Sequence, residues 1–194
     1  MLSNQYIEFM TGMSYNHDSI TLRRVQMAST QNNLKAAFAG ESQANRKYLF
    51  FAERAEKDGF PQVARLFRAV AEAETVHARK HLQTLDGGIG ETAKNLEVAI
   101  DGELYESTEM YPDFIRQAES ENNKAAITGF TWANKVEELH ADLYDKALEA
   151  VKSGKAMKDV PYFVCQGCGY TAEGNAPDRC PVCGAPASRF KKVE

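Results

Sequence analysis

The chain has 194 residues, 43% of them hydrophobic and 26% charged, close to the makeup of ordinary folded domains and far from disordered or collagen-like chains. Its 23 basic and 27 acidic residues leave a net charge of −4, which argues against nucleic acid as a partner, because phosphate binding needs a basic face. No stretch approaches the roughly 18 apolar residues of a membrane helix, and the opening MLSNQYIEFMTGMSYNHDSI has no basic region followed by an apolar one, so neither a membrane nor export is expected and the cytoplasm is the expected location.

Residues 1–30 show no periodicity and read as a mobile N-terminal tail. Met27, just ahead of the first helical pattern, reads as an alternative start. Residues 31–152 are helical text. Leu34, Phe38, Ala44, Tyr48, Phe51 and Ala55 follow the spacing of one helix face. Asp58-Gly59-Phe60-Pro61 stops this helix and starts another, since glycine suits a helix end and proline a first turn. The second helix is expected over 61–85, until Asp86-Gly87-Gly88-Ile89-Gly90 breaks it. A third is expected over 92–119 and a fourth over 122–152. Pro112 removes a backbone donor inside the third and predicts a kink there. Four long helices with short joints predict an all-α four-helix bundle. Ser153-Gly154-Lys155 opens a linker over 153–161. Residues 162–194, rich in Gly, Pro and Cys, are too few to fold without a staple.

Metal-ligand residue types recur along the helices. Glu74-Thr75-Val76-His77 and Glu137-Glu138-Leu139-His140 are both Glu-x-x-His, and this spacing puts both side chains on one helix face. Glu41 lies in an apolar, small-residue stretch of the first helix, and Glu103 and Glu106 are three apart on the third. Glu41 precedes Glu74 by 33 positions, Glu103 precedes Glu137 by 34, and the two histidines are 63 apart. The bundle therefore reads as two similar helix pairs. One Glu from each of two helices with Glu-x-x-His from each of the others is the pattern of a dinuclear carboxylate site. Several anionic oxygens offset two neighbouring cations, and imidazole suits iron, zinc and copper. A single Glu-x-x-His usually lies on a solvated face; two in register, each with an upstream acid, are far more specific. His81 and His17 read as plain polar residues, and Trp132 as core or interface packing.

All four cysteines lie in the C-terminal segment, as Cys165-x-x-Cys168 and Cys180-x-x-Cys183. Two such knuckles predict one tetrahedral tetrathiolate site holding zinc or a single iron. Spacing alone leaves those two metals open.

With these motifs in place, the sequence resembles the rubrerythrin family. The resemblance is carried by Ala39-Gly40-Glu41-Ser42-Gln43-Ala44, both Glu-x-x-His motifs, Glu103-x-x-Glu106 followed by Ser107-Thr108-Glu109-Met110-Tyr111-Pro112, and the Cys-Gly-Tyr and Cys-Pro-x-Cys knuckles. It implies a ferritin-like four-helix bundle with a non-haem diiron centre, then a rubredoxin-like domain with one iron in four thiolates. It implies reduction of hydrogen peroxide to water, with rubredoxin or an NAD(P)H-dependent reductase as electron donor. It also implies a homodimer, or a larger assembly, in which one chain's tetrathiolate approaches the diiron site of another. By the same resemblance Glu74 and Glu137 bridge the metals, Glu41 and Glu106 are terminal ligands of one iron, and Glu103 and His140 ligate the other. His77 replaces Glu106 on reduction, and Tyr48 and Tyr111 stand beside the metals. The stretch before Met27 has no counterpart in the resemblance. Competing readings are an iron-storage ferroxidase, a dioxygen-using oxidase and a non-catalytic zinc protein; the attached tetrathiolate module counts against storage.

Overall fold

A computed structural model describes residues 29–193. The tail expected over 1–30 and the Met27 start therefore lie almost wholly outside the described residues. The elements, in order, are α1 (Thr30–Lys57), α2 (Pro61–Thr84), α3 (Thr92–Tyr105), a π-helical turn (Glu106–Met110), α4 (Tyr111–Ser120), α5 (Lys124–Ser153), β1 (Tyr162–Cys165), β2 (Thr171–Glu173), a 3-10 turn (Ala187–Arg189) and β3 (Phe190–Val193). Among the described residues no helix is long and apolar enough to cross a membrane.

The chain forms two compact units, divided between His81 and Leu82. The first holds α1 and α2 as far as His81. Ser29 caps α1 by accepting from the Asn32 N–H at 3.2 Å, and Asp58-Gly59 turn the chain with Gly59 at φ 83°, a conformation glycine takes without strain. Buried Ala52, Ala55 and Ala64 pack with Phe67, and small side chains let the two backbones approach closely. The Asn45 side-chain amide donates to the Ala71 carbonyl at 2.7 Å and to the Thr75 hydroxyl at 2.9 Å, which sets the register of α2 on α1. Arg68 pairs with Glu56 across the same hairpin.

The second unit holds α3 to α5 and the C-terminal module. The expected third helix is one helical path in which the irregularity lies at Glu106–Met110, ahead of Pro112. There the Tyr111 N–H reaches back five residues to the Glu106 carbonyl instead of four. Pro112 offers no N–H to the carbonyls of this turn. At the start of the turn, Ser107 donates to the Glu103 carbonyl at 2.8 Å and Thr108 to that of Leu104 at 2.6 Å. Asn123 caps α5 through the Ala126 N–H at 3.1 Å, and Gly154 ends it at φ 66°. Lys152 reaches Glu97 of α3 at 3.0 Å, a surface pair of small energetic weight.

β1 is the central strand of a three-stranded antiparallel sheet ordered β2-β1-β3. Phe163 faces Ala172 on one side and Lys192 on the other. Tyr170 and Phe190 meet edge to face at 6.3 Å. So little apolar surface is covered that the module's buried residues are Cys165, Ala172 and Cys180, which leaves its stability to the cysteine site.

Candidate metal centres

The helices bring the expected acids and histidines into two trios of the same design. In the first unit the Glu41, Glu74 and His77 ligand atoms lie within 4.8 Å of one another. His77 Nδ1 is 2.9 Å from Glu74 Oε2 and 3.9 Å from Glu41 Oε1. In the second unit Glu103, Glu137 and His140 form the matching trio, with His140 Nδ1 2.8 Å from Glu137 Oε2 and 3.9 Å from Glu103 Oε2. Each trio joins a Glu-x-x-His with one acid from an earlier helix, Glu41 of α1 or Glu103 of α3. The trios differ in exposure: the His77 side chain is 56% exposed and that of His140 25%.

The second trio shows the strain of gathered carboxylates. Burial, then the charge and hydrogen bonding of Glu137 and the charge of Glu106, push the Glu103 carboxyl up to about 7. Glu106, in the π turn, is also raised, by burial and then by Glu137, with His140 working the other way. It stands beside the trio and within electrostatic reach of it. Tyr111 is raised by burial and by Glu137, Glu106 and Glu103, so its phenol keeps its proton next to these acids. Its ring packs with Phe114 and Phe130 at 6.2 and 6.1 Å. Tyr48 has the corresponding setting in the first unit, with Phe51 at 6.3 Å and Phe67 at 6.1 Å.

Cys165, Cys168, Cys180 and Cys183 form the third cluster, and all four are free thiols. Sγ separations are 3.6 Å for Cys165–Cys183 and 3.4 Å for Cys168–Cys180. A tetrahedron with metal–sulfur bonds of about 2.3 Å has edges of about 3.8 Å, so the cluster needs only slight expansion to hold an ion. The Gly167 N–H points to Cys165 Sγ at 3.4 Å. A side chain there would start 3.2 Å from Cys183 Sγ, so glycine keeps the sulfurs uncrowded. At Cys180 burial opposes the thiolate, but N–H groups of Cys183 and Val182 and the Cys168 thiol outweigh it and bring the thiol to about 7. Burial leads the opposite shift at Cys168, which is pushed up. A divalent ion would deprotonate the four thiols together.

The cysteine module touches α5 of its own chain. His140 Nε2 lies 3.1 Å from the Thr171 hydroxyl, and that hydroxyl donates to the Gly169 carbonyl at 3.1 Å. At Gly169, φ is 87°, and a Cβ would lie 3.8 Å from Val136 of α5, so the knuckle rests on the helix. Beside this bond runs a cleft of about 450 Å³, with His140 and Thr171 in its wall together with Leu96, Leu143, Met157 and Tyr162. The few residues between α5 and β1 bring the module against its own helix. Sequence reasoning did not mark Thr171. It lies three residues after Cys168, outside either knuckle, and no spacing rule foretells a bond to a helix 31 residues earlier.

Comparison with known proteins agrees with these sites. The rubrerythrin family profile matches residues 32–148, and that of the rubrerythrin rubredoxin-like domain matches residues 163–191. The chain is 35% identical to nigerythrin of Nitratidesulfovibrio vulgaris, over 90% of this chain and 92% of that protein. It is 35% identical to rubrerythrin of Porphyromonas gingivalis, over 89% and 94%, and 32% identical to rubrerythrin-2 of Clostridium acetobutylicum, over 86% and 98%. Solved structures of nigerythrin in partially reduced and fully reduced, all-ferrous states match with TM-scores of 0.52 and 0.51 at 34% and 32% identity, covering 93% of this chain and 94% of theirs. The chain carries a diiron-type carboxylate and histidine set and a four-cysteine set suited to a rubredoxin-like iron, and it belongs to the rubrerythrin family.

Proposed function

We propose that this oxidoreductase is a peroxidase that reduces hydrogen peroxide to water in the cytoplasm, as a defence against oxidative stress. Electrons enter from a rubredoxin or an NAD(P)H-dependent reductase and pass through the tetrathiolate iron. When bound, two ferrous ions at the carboxylate and histidine sets would supply two electrons, which with two protons would convert one hydrogen peroxide to two waters. Glu41, Glu74, Glu103, Glu106, Glu137 and His140 would hold the metals, and His77 would take the place of Glu106 when they are reduced. A carboxylate suits the ferric charge, and a neutral imidazole suits the ferrous.

The observation that carries the reading is the contact between the cysteine knuckle and His140. A one-electron carrier has no use in a storage protein, but an enzyme that must be re-reduced in single steps needs one joined to its site. Covalent bonds from Cys168 to Thr171 and one hydrogen bond to His140 complete the connection. A proton donor is at hand: Tyr111 stays a neutral phenol beside Glu137 and Glu106. Both helical units also expose large apolar side chains, among them Phe50, Leu66, Val98 and Phe114, which favours an assembly of two or more copies of this chain.

The test is anaerobic stopped-flow mixing of the fully reduced protein with peroxide and, separately, with dioxygen. Fast reoxidation of both iron chromophores by peroxide, with a slow response to dioxygen, supports the peroxidase. A faster reaction with dioxygen replaces it with an oxidase, and accumulation of a ferric mineral replaces it with a ferroxidase.

A further inference from the structure

The cysteine module is basic within an acidic chain. Residues 162–193 hold Arg179, Arg189, Lys191 and Lys192 against Glu173 and Asp178, while the whole chain carries −4. All four basic residues are exposed. The two arginines are held at the knuckles. Arg189 Nη2 donates to the Gln166 carbonyl and Arg179 Nη1 to the Gly184 carbonyl, each at 3.3 Å. Gln166 follows Cys165 and Gly184 follows Cys183, and the sulfurs of those two cysteines are 3.6 Å apart. One guanidinium thus stands on each knuckle beside the place where the two meet. Neutral carbonyls accept both bonds, so neither charge is offset by them. Gly167 lies at the same meeting point and is exposed. A Cβ there would be 3.2 Å from Cys183 Sγ and 3.6 Å from Cys165 Sγ. A partner resting on Gly167 meets bare backbone, with the sulfurs directly behind it.

We propose that Gly167, Gly184, Arg179 and Arg189 form the face on which an acidic one-electron carrier protein docks, its carboxylates on the two guanidiniums and its redox group over the meeting point of the knuckles. This deepens the reading of the module as the entry for electrons and rests on it. At each encounter one electron leaves the carrier, oxidising it by one, and reduces the tetrathiolate iron from ferric to ferrous. Charge selects the occupant. A patch of one sign steers partners of the opposite sign and raises association rates about 10- to 1000-fold. An acidic carrier is drawn to this face and repelled by the acidic remainder of the chain, which confines it to the module. Gly169, two residues further on, rests against Val136 of α5, so the Gly167 side is the one left open.

The full chain loaded with iron is mixed anaerobically with a reduced acidic rubredoxin and, separately, with reduced methyl viologen, a small cation that needs no docking face. Arg179→Glu with Arg189→Glu should slow reduction by rubredoxin about 10-fold or more at about 0.01 M salt. The gap should close at about 1 M, where charges are screened beyond about 3 Å. Arg179→Lys with Arg189→Lys keeps the charge and should keep most of the rate. Viologen should reduce all three proteins alike. A second readout needs no iron in this chain. Zinc-loaded, ¹⁵N-labelled full chain is titrated with the same rubredoxin, oxidised, whose ferric ion should broaden the amide signals of Gln166, Gly167 and Gly184 in the parent and not in the glutamate variant. Equal rubredoxin rates for the parent and the glutamate variant at low salt overturn the proposal, as does broadening centred elsewhere. Lysine variants as slow as the glutamate ones also overturn it, since hydrogen bonding and not charge would then matter. Equal slowing with viologen overturns it too, by placing the effect at the iron. Tetrathiolate iron that neither reductant reduces overturns the electron-entry reading itself.

Discussion

His77 and His140 occupy the same place in two copies of one arrangement. Each turns Nδ1 to the glutamate three residues before it, at 2.9 and 2.8 Å, and each lies 3.9 Å from a glutamate on an earlier helix. They differ in what surrounds them. His77 is more than half exposed, whereas His140 is mostly covered and hydrogen-bonded to Thr171.

That difference predicts unequal effects of substitution. His77→Ala should retain iron and slow peroxide turnover by about 10-fold or more. His140→Ala should lose iron affinity by more than about 10-fold, since a ligand matters at least as much as its supporting partner. Iron analysis after gel filtration and steady-state peroxidase rates check both. Full turnover in His77→Ala would remove the proposed exchange with Glu106.

Cys168→Ser should abolish donor-driven turnover while leaving the carboxylate site competent for one reaction. Chemically pre-reduced protein should still consume peroxide once, followed at the diiron absorption. Normal multiple turnover in the variant would show that electrons enter by another route.

Glu103 predicts a pH effect with a definite sign. Its folded-state value, about 7, lies above the ordinary 4.5, so the neutral acid is the form the metal-free fold prefers. Its contribution to stability is complete below about 4.5 and is lost as pH rises through about 7. Metal-free Glu103→Gln should therefore melt above the parent at pH 8, with the gap closing at pH 5. Iron loading should release a proton from this carboxyl below pH 7 and weaken with acidity there. A pH-independent gap in melting temperature would show that repulsion by Glu137 and Glu106 is not felt.

Asn45 bridges α1 to both Ala71 and Thr75. Asn45→Ala leaves a partly buried carbonyl with one partner fewer and should cost about 1–2 kcal/mol. Denaturant titration of the metal-free protein measures it, and faster amide exchange should be confined to α1 and α2.

The helices, their glycine and proline joints and the metal-ligand residues were legible because each leaves a local mark. Heptad-like spacing marks α1, Glu-x-x-His marks α2 and α5, and paired Cys-x-x-Cys marks the last module. The π turn left a fainter mark. It was present in the spacings of 33 from Glu41 to Glu74 and 34 from Glu103 to Glu137, but Pro112 drew the expectation of a kink to itself. Thr171 left none, because its role comes from chain folding that returns the cysteine knuckle to α5.

The π turn has a consequence for the balance of the two halves. Glu103 follows Glu41 by 62 positions, while Tyr111, Phe114, Phe130, Glu137 and His140 each follow their counterparts Tyr48, Phe51, Phe67, Glu74 and His77 by 63. One extra residue has entered the second half, and the widened turn absorbs it without displacing anything downstream. Glu106 belongs to that turn, and at either count its counterpart is Gln43 or Ala44, neither of which carries a charge. A single-residue insertion thus breaks the twofold likeness by one carboxylate, leaving three donors in one half and four in the other.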